Sequence, residues 1–210
     1  MDVPTLDDLI VKAFAEAEEL IANQDRFNYP FRNRFRHTKR VLNWAKRIQQ
    51  HEGGDMDVIT LAVLFHDTGW SDEIDHALIG ADLAEKFLVG HGVDQSVIDR
   101  VAFAARTHNK RQAPRKELPI ENLIVMDADL LDEVGVTTIV WDAMATALEE
   151  NPSYKAALDK SQRFFEGAKE KEFYLQTKTG KELYRQRIAM WEKCLDHLRY
   201  ELGESAALAD

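Results

Sequence analysis

The 210-residue sequence has little of what holds small extracellular folds together: one cysteine, five prolines and ten glycines. With Cys194 alone, an internal disulfide is excluded, and thiol chemistry is not expected. No window approaches the ~18 uninterrupted apolar residues of a membrane span. The opening MDVPTLDDLI has neither the basic nor the apolar region of a signal peptide, so a cytoplasmic location without membrane contact is expected. Basic charge is in deficit, with 27 Lys and Arg against 37 Asp and Glu and a net charge of -10. That balance disfavours a nucleic acid polymer as partner. Convincing alternating strands, internal repeats and Pro/Gly/Ser-rich linkers are all missing. What is present, 45% hydrophobic and 30% charged residues, is the composition of a chain with a sizeable core, and the length is that of one domain over 1–210.

Helical periodicity recurs from end to end, which makes the class all-α. A first helix is opened by Thr5 with Asp8 three residues on and carries Leu6, Leu9, Ile10, Ala13, Phe14 and Ala17 on one stripe. A second, about 36–51, sets His37, Val41, Trp44, Ala45 and Ile48 on one face; a third, about 56–66, is apolar nearly all round and stops at HDTG, with Gly69 as the expected glycine after its end. The fourth (about 75–89) aligns His76, Ile79, Gly80, Leu83 and Phe87, the fifth (about 94–108) Val97, Val101, Ala105 and His108, and the sixth is about 120–134. Two or three further helices follow. The last, opened by Thr179 with Glu182 three on, spaces Tyr184, Ile188, Trp191, Leu195, Leu198 and Leu202 by gaps of four and three. Such a seam docks on the protein's own core or, alternatively, pairs two copies as a homodimer.

The chemistry is carried by convergence. A lone histidine on an apolar face is more often a packed residue than a ligand, but four of the seven, His37, His66, His76 and His108, fall on the inward stripe of four successive helices. The sixth helix adds Asp127 and Asp129 inside an apolar run, where an unpaired carboxylate is expensive to bury. A divalent cation would compensate all these groups, and mixed imidazole and carboxylate donors suit Zn, Fe, Mn, Co or Ni. Asp67, next to His66, is placed to bridge two ions. Helical angles favour Asp127 as the ligand on its helix, being in line with Ile120, Leu123, Ile124 and Leu131.

RFRHTKRV, LAVLFHDTG and MDADLLDEVG, taken in order, supply a His, a His-Asp dyad and a distant Asp. The pattern resembles the HD-domain superfamily of metal-dependent phosphohydrolases, of the bacterial single-domain type. HALIGADLAEKFL, VAFAARTHNK and FYLQTKTGKELYRQRIAMWEKCLDHL extend the resemblance over roughly residues 30–205. It implies a bundle of about 8–10 helices, with a metal-site core at about 30–135, a helical part at about 136–205 and a long C-terminal helix. It further implies His37, His66, Asp67 and Asp129 as primary ligands of one or two divalent ions, Mg included. His76 and His108 then serve a second ion or face the substrate phosphate. Because the family motif puts the ligand at Asp129, Asp127 becomes an acceptor orienting a ligand histidine. Where several nucleotide-cleaving members carry an acid or lysine three residues after the dyad's Asp, this chain has Trp70.

The implied activity is hydrolysis of a small phosphorylated metabolite or nucleotide by metal-activated water held at Asp67. Two runs without acids, 32–40 and 106–116, hold ten of the 27 basic residues, each run with a histidine. They offer Arg36, Lys39, Arg106, Lys110 and Arg111 as catalytic cations for an anionic substrate. Readings from other classes are a mixed-valent di-iron oxygenase of the same fold and a regulatory module that binds without turnover.

Overall fold

The computed structural model describes residues 5–111 and 117–205; among them the chain forms α-helices with no strand. In chain order these are α1 (Leu6–Ala22), α2 (Arg34–Glu52), α3 (Met56–Phe65), α4 (His76–Gly90), α5 (Gln95–Thr107), α6 (Ile120–Asp132), α7 (Val136–Thr146), α8 (Tyr154–Lys169) and α9 (Lys178–Glu201), with a 3-10 turn at Glu170–Tyr174 before α9. Most begin where a short polar side chain accepts a free backbone N–H: Thr5 for α1, Asn33 for α2, Asp55 for α3, Asp75 for α4, Asp94 for α5 and Ser153 for α8. None of the helices is long and apolar enough to cross a membrane.

The apolar character of α3 follows from its place. Val58 to Phe65 are all buried, and the helix packs against α1, α2, α4, α5 and α6. Each of its large side chains contributes roughly 1.5–3 kcal/mol by leaving water. The α3 axis therefore ends inside the molecule, and the residues after Phe65 emerge among the other helices. His66 caps α3 in helical geometry, fully buried.

Gly69 is required for another reason than the one its position suggests. It has no left-handed φ, so it does not close α3 as a C-terminal glycine. A Cβ there would lie 2.6 Å from the His76 carbonyl oxygen and from Ile79, and one on Gly80 would lie 2.5 Å from the Phe65 carbonyl oxygen. The two glycines let α4 press against the end of α3, which carries His76 to the dyad.

The last helix also starts differently. Its cap is Thr177, two residues before Thr179; the Thr177 hydroxyl accepts the Gly180 N–H, while Glu52 accepts the Thr179 N–H. Threonines at both positions make the capping pattern ambiguous in sequence, and the buried partner of Thr177 decides between them. Along α9, Tyr184, Trp191 and Leu195 are buried and Ile188, Leu198 and Leu202 pack partly buried on the same core, against α2, α6, α7 and α8. The heptad-like seam is thus covered by the chain itself.

Candidate metal centre

Five helix ends converge on one spot. His37 lies in the first turn of α2 and His76 opens α4; His66 and His108 cap α3 and α5, and Asp129 and Asp132 lie in the last turn of α6. Three C-terminal ends, with their partial negative charge, outnumber the two N-terminal ends at the same place, a balance that favours a cation.

The structure brings together all six residues expected as ligands. His37 Nε2 is 3.2 Å from Asp129 Oδ1 and 3.4 Å from His66 Nε2, and His66 Nε2 is 3.7 Å from Asp129 Oδ1. Across His66, the His76 Nε2 stands 3.2 Å from His108 Nε2 and 3.7 Å from Asp67 Oδ1. Two sets, His37–His66–Asp129 and His66–Asp67–His108, each bring their donor atoms within 4.8 Å of one another and can hold a metal ion.

Orientation is enforced from behind. The Val63 carbonyl accepts from His66 Nδ1 at 2.7 Å and the Ala105 carbonyl from His108 Nδ1 at 2.7 Å. A proton on each Nδ1 leaves each Nε2 bare and aimed inward. His37 Nδ1 donates to Asp132 Oδ2 at 2.7 Å, and Arg40 holds that carboxylate through two bonds of 2.8 Å. Bare nitrogens facing one another and a carboxylate oxygen need a positive charge among them. A proton answers that need at His37: burial works against its charge, yet Asp129 and Asp132 lift its pKa to about 10. At Asp129 burial is outweighed by the neighbouring His37 and His66 rings, which hold the carboxyl well below its ordinary range. His108, buried and near His66, is pushed down to about 4. The donor set fits a divalent metal that replaces the proton.

Asp127 points elsewhere. Its oxygens accept the N–H groups of Gln176 and Thr177 and the Thr177 hydroxyl, all at 2.7 Å. It pins the start of α9 and orients no histidine; that part belongs to Asp132, three residues after Asp129 on the same face of α6. The i, i+3 spacing from Asp129 was the available signal for it.

The basic candidates divide. Arg111 donates to Asp129 Oδ2 at 2.7 Å and to Glu133, and Lys110 reaches Asp75 Oδ2 at 2.5 Å, so both border the cluster. Arg36 is exposed, Lys39 lies over the Phe35 ring at 4.7 Å, and Arg106 pairs with Asp82 at 3.4 Å; none of them meets the six. Residues 112–116 of the second run, with Arg115 and Lys116, lie outside the described residues. A guanidinium unforeseen in the sequence also borders the cluster. Arg26, its side chain 10% exposed, stands 3.7 Å from Asp67 Oδ2 and 4.6 Å over the Trp70 ring. Burial lowers its pKa, as burial, Arg32 and Arg26 together lower that of Arg34 to about 10. Gln24 fixes the loop beneath by donating to the Asp67 carbonyl at 2.7 Å. The segment 23–33 has no period by which a facing side could be read from sequence.

Comparison with known proteins agrees with this geometry. Residues 34–133, which contain all six converging residues, match the HD domain family. This part of the chain is an HD domain. Solved structures extend the likeness of fold beyond it. An HD-superfamily hydrolase of Bacillus thuringiensis is 19% identical with a TM-score of 0.73, covering 96% of this chain and 100% of its own. The Lin1889 protein of Listeria innocua is 23% identical with a TM-score of 0.65, covering 95% and 98%. YpgQ of Bacillus subtilis, solved in complex with ADP, is 19% identical with a TM-score of 0.63, covering 98% and 99%. No curated protein matches in sequence. The HD match spans α2 to α6 and the six converging residues, while α1 packs on α2 and α3, α9 on α2 and α6, and α7 and α8 on α9.

Proposed function

We propose that the protein is a metal-dependent phosphohydrolase acting on a small phosphorylated metabolite or nucleotide. The observation that carries this reading is the combination of two metal-capable sets, alternatives for the single free Nε2 of His66, with two largely enclosed guanidiniums, Arg111 beside Asp129 and Arg26 beside Asp67. One or two divalent ions (Mn, Fe, Co, Ni, Zn or Mg), when bound, would acidify water and polarise a phosphoryl oxygen. His37, His66, Asp67 and Asp129 would hold them, with His76 and His108 completing the second position. Phosphoryl transfer asks chiefly for positive charge around the equatorial oxygens. Arg111 and Arg26 supply it from sites poorly screened by water, where charge acts more strongly. His76, the most exposed of the four rings that meet here, stands between Asp67 and Asp75, and where a single ion is bound it would face the substrate phosphate instead. That the fold-related YpgQ was solved with ADP puts nucleotides first among substrates to test.

The test is a screen of phosphorylated metabolites and nucleotides with each metal, reading released phosphate. On the substrate found, Arg111→Gln and Arg26→Gln should keep metal content yet lower kcat/KM at least ~100-fold. Arg36→Gln and Lys39→Gln, being exposed, should stay within a few-fold. Metal-loaded protein that hydrolyses no phosphoester would favour a binding module instead.

A further inference from the structure

A second gathering of positive charge lies on the far side of Asp132, away from the six converging residues. Arg40 and Arg47 from α2 and Arg187 from α9 line a half-open cavity of about 90 Å³, and Asp132 is the one acid among its lining residues. Arg40 spends its fork on Asp132, with bonds of 2.8 Å to each oxygen. Arg47 and Arg187 have no carboxylate partner among the described residues: their guanidiniums lie 4.5 and 4.3 Å from the centre of the same Trp44 ring. Arg187 is tied only to the Val134 carbonyl and, at 3.5 Å, to the Thr137 hydroxyl, and its Nε is buried without a partner. Three cations thus share one carboxylate on a chain whose net charge is -10.

We propose that this cavity is a binding site for a small tetrahedral oxyanion, with inorganic phosphate or a terminal phosphate group as the ligand class. Like charges held together at the surface of an acidic protein cost free energy unless an anion joins them. The Trp44 face offsets part of that cost but leaves the guanidinium edges with donors to spare. Burial and the neighbouring Arg47 and Arg40 hold the Arg187 pKa down, although Asp132 opposes them, as expected of a site short of negative charge. Asn43 and Thr137 add an amide and a hydroxyl to the lining. The volume is well short of the roughly 300–1,000 Å³ of sites for larger organic ligands and suits a single oxyanion. Because the Asp132 that pairs with Arg40 also orients His37, the cavity and the metal centre share a wall. Oxyanion binding here needs only the cavity's own side chains and no phosphohydrolase activity at the metal centre.

The indole N–H resonances test it. Trp44 reports this cavity, and Trp70, beneath Arg26, reports the candidate metal centre. Inorganic phosphate is titrated into the purified full-length protein at constant ionic strength set with chloride, with the Trp44 signal assigned through Trp44→Phe. The Trp44 resonance should move saturably. Arg47→Gln, which alters an exposed residue and so leaves the fold intact, should weaken that response at least ~10-fold, the loss of one charge-assisted contact. Arg111→Gln, at the other site, should leave it unchanged. A Trp44 resonance that stays still, that moves equally with chloride, or that titrates identically in Arg47→Gln would overturn the assignment, whatever Trp70 does.

Discussion

The two sides of α6 use the same side chain to different ends. Asp127 is 1% and Asp129 7% exposed, two residues apart on one helix. On the first side, two backbone N–H groups and a hydroxyl fully satisfy a carboxylate that ties α9 to the core. On the second, the carboxylate meets imidazole nitrogens whose own protons are committed elsewhere, together with a guanidinium. Burial of an acid therefore says little about metal binding. The groups across from it decide: donors make it structural, bare lone pairs make it a candidate ligand.

Removing one charge at a time separates the two sides of α6. Asp129→Asn should all but empty the centre of metal, measured by elemental analysis of the purified protein, while Asp127→Asn keeps the wild-type stoichiometry. The reverse order would return the ligand role to Asp127. A smaller loss is expected one turn on. Asp132→Asn leaves every donor of both sets in place but weakens the hold on His37 Nδ1, and metal affinity by competition with a chelator should fall ~10–100-fold. An unchanged affinity would mean that the Arg40–Asp132–His37 chain does not tune the site.

The smallest effect belongs to the structural side and is read as stability. Asp127→Asn exchanges an acceptor for an amide that faces N–H donors, at a cost of about 1–3 kcal/mol in urea unfolding at pH 7. Burial raises the Asp127 pKa to about 6 in the fold in spite of its three donors. The folded state therefore binds a proton more readily than the unfolded chain, and the group's contribution is fully present below the unfolded pKa near 4. It is lost as pH rises to about 6. The stability gap between wild type and Asp127→Asn should accordingly be wider at pH 4.5 than at pH 7. A gap that widens with pH would contradict the sign.

Legibility followed periodicity. His37, His66, His76 and His108 could be found because each falls on the apolar stripe or at the end of a helix whose pattern repeats every three to four residues. The seam of α9 is readable for the same reason, and the opening of α1 from the spacing of Thr5 and Asp8. Where the pattern saturates, reading fails. α6 is buried from Glu121 to Leu131 apart from Leu123, so the wheel of that helix has no dry and wet side to separate Asp127 from Asp129. Trp70, Arg26 and Gln24 belong to irregular segments, where nothing local says which way a side chain faces. The basic run at 32–40 misled in the same manner. Arg36 and Lys39 flank His37 in sequence, but helical rotation turns them to solvent, and the enclosed guanidiniums near the dyad are those of Arg26 and Arg111.

Local propensity and the 3.6-residue period specify, without reference to distant residues, an all-helical chain, an apolar α3 that must lie inside the others, and four histidines on inward stripes or helix ends. Tertiary structure alone decided which aspartate meets the histidines, which carboxylate orients His37 and where uncompensated positive charge collects. Those outcomes depend on partners far off in the chain: Thr177 for Asp127, His37 for Asp132, Arg187 for Trp44. A buried charge takes its role from whatever donors or acceptors packing sets against it, and no local pattern records them.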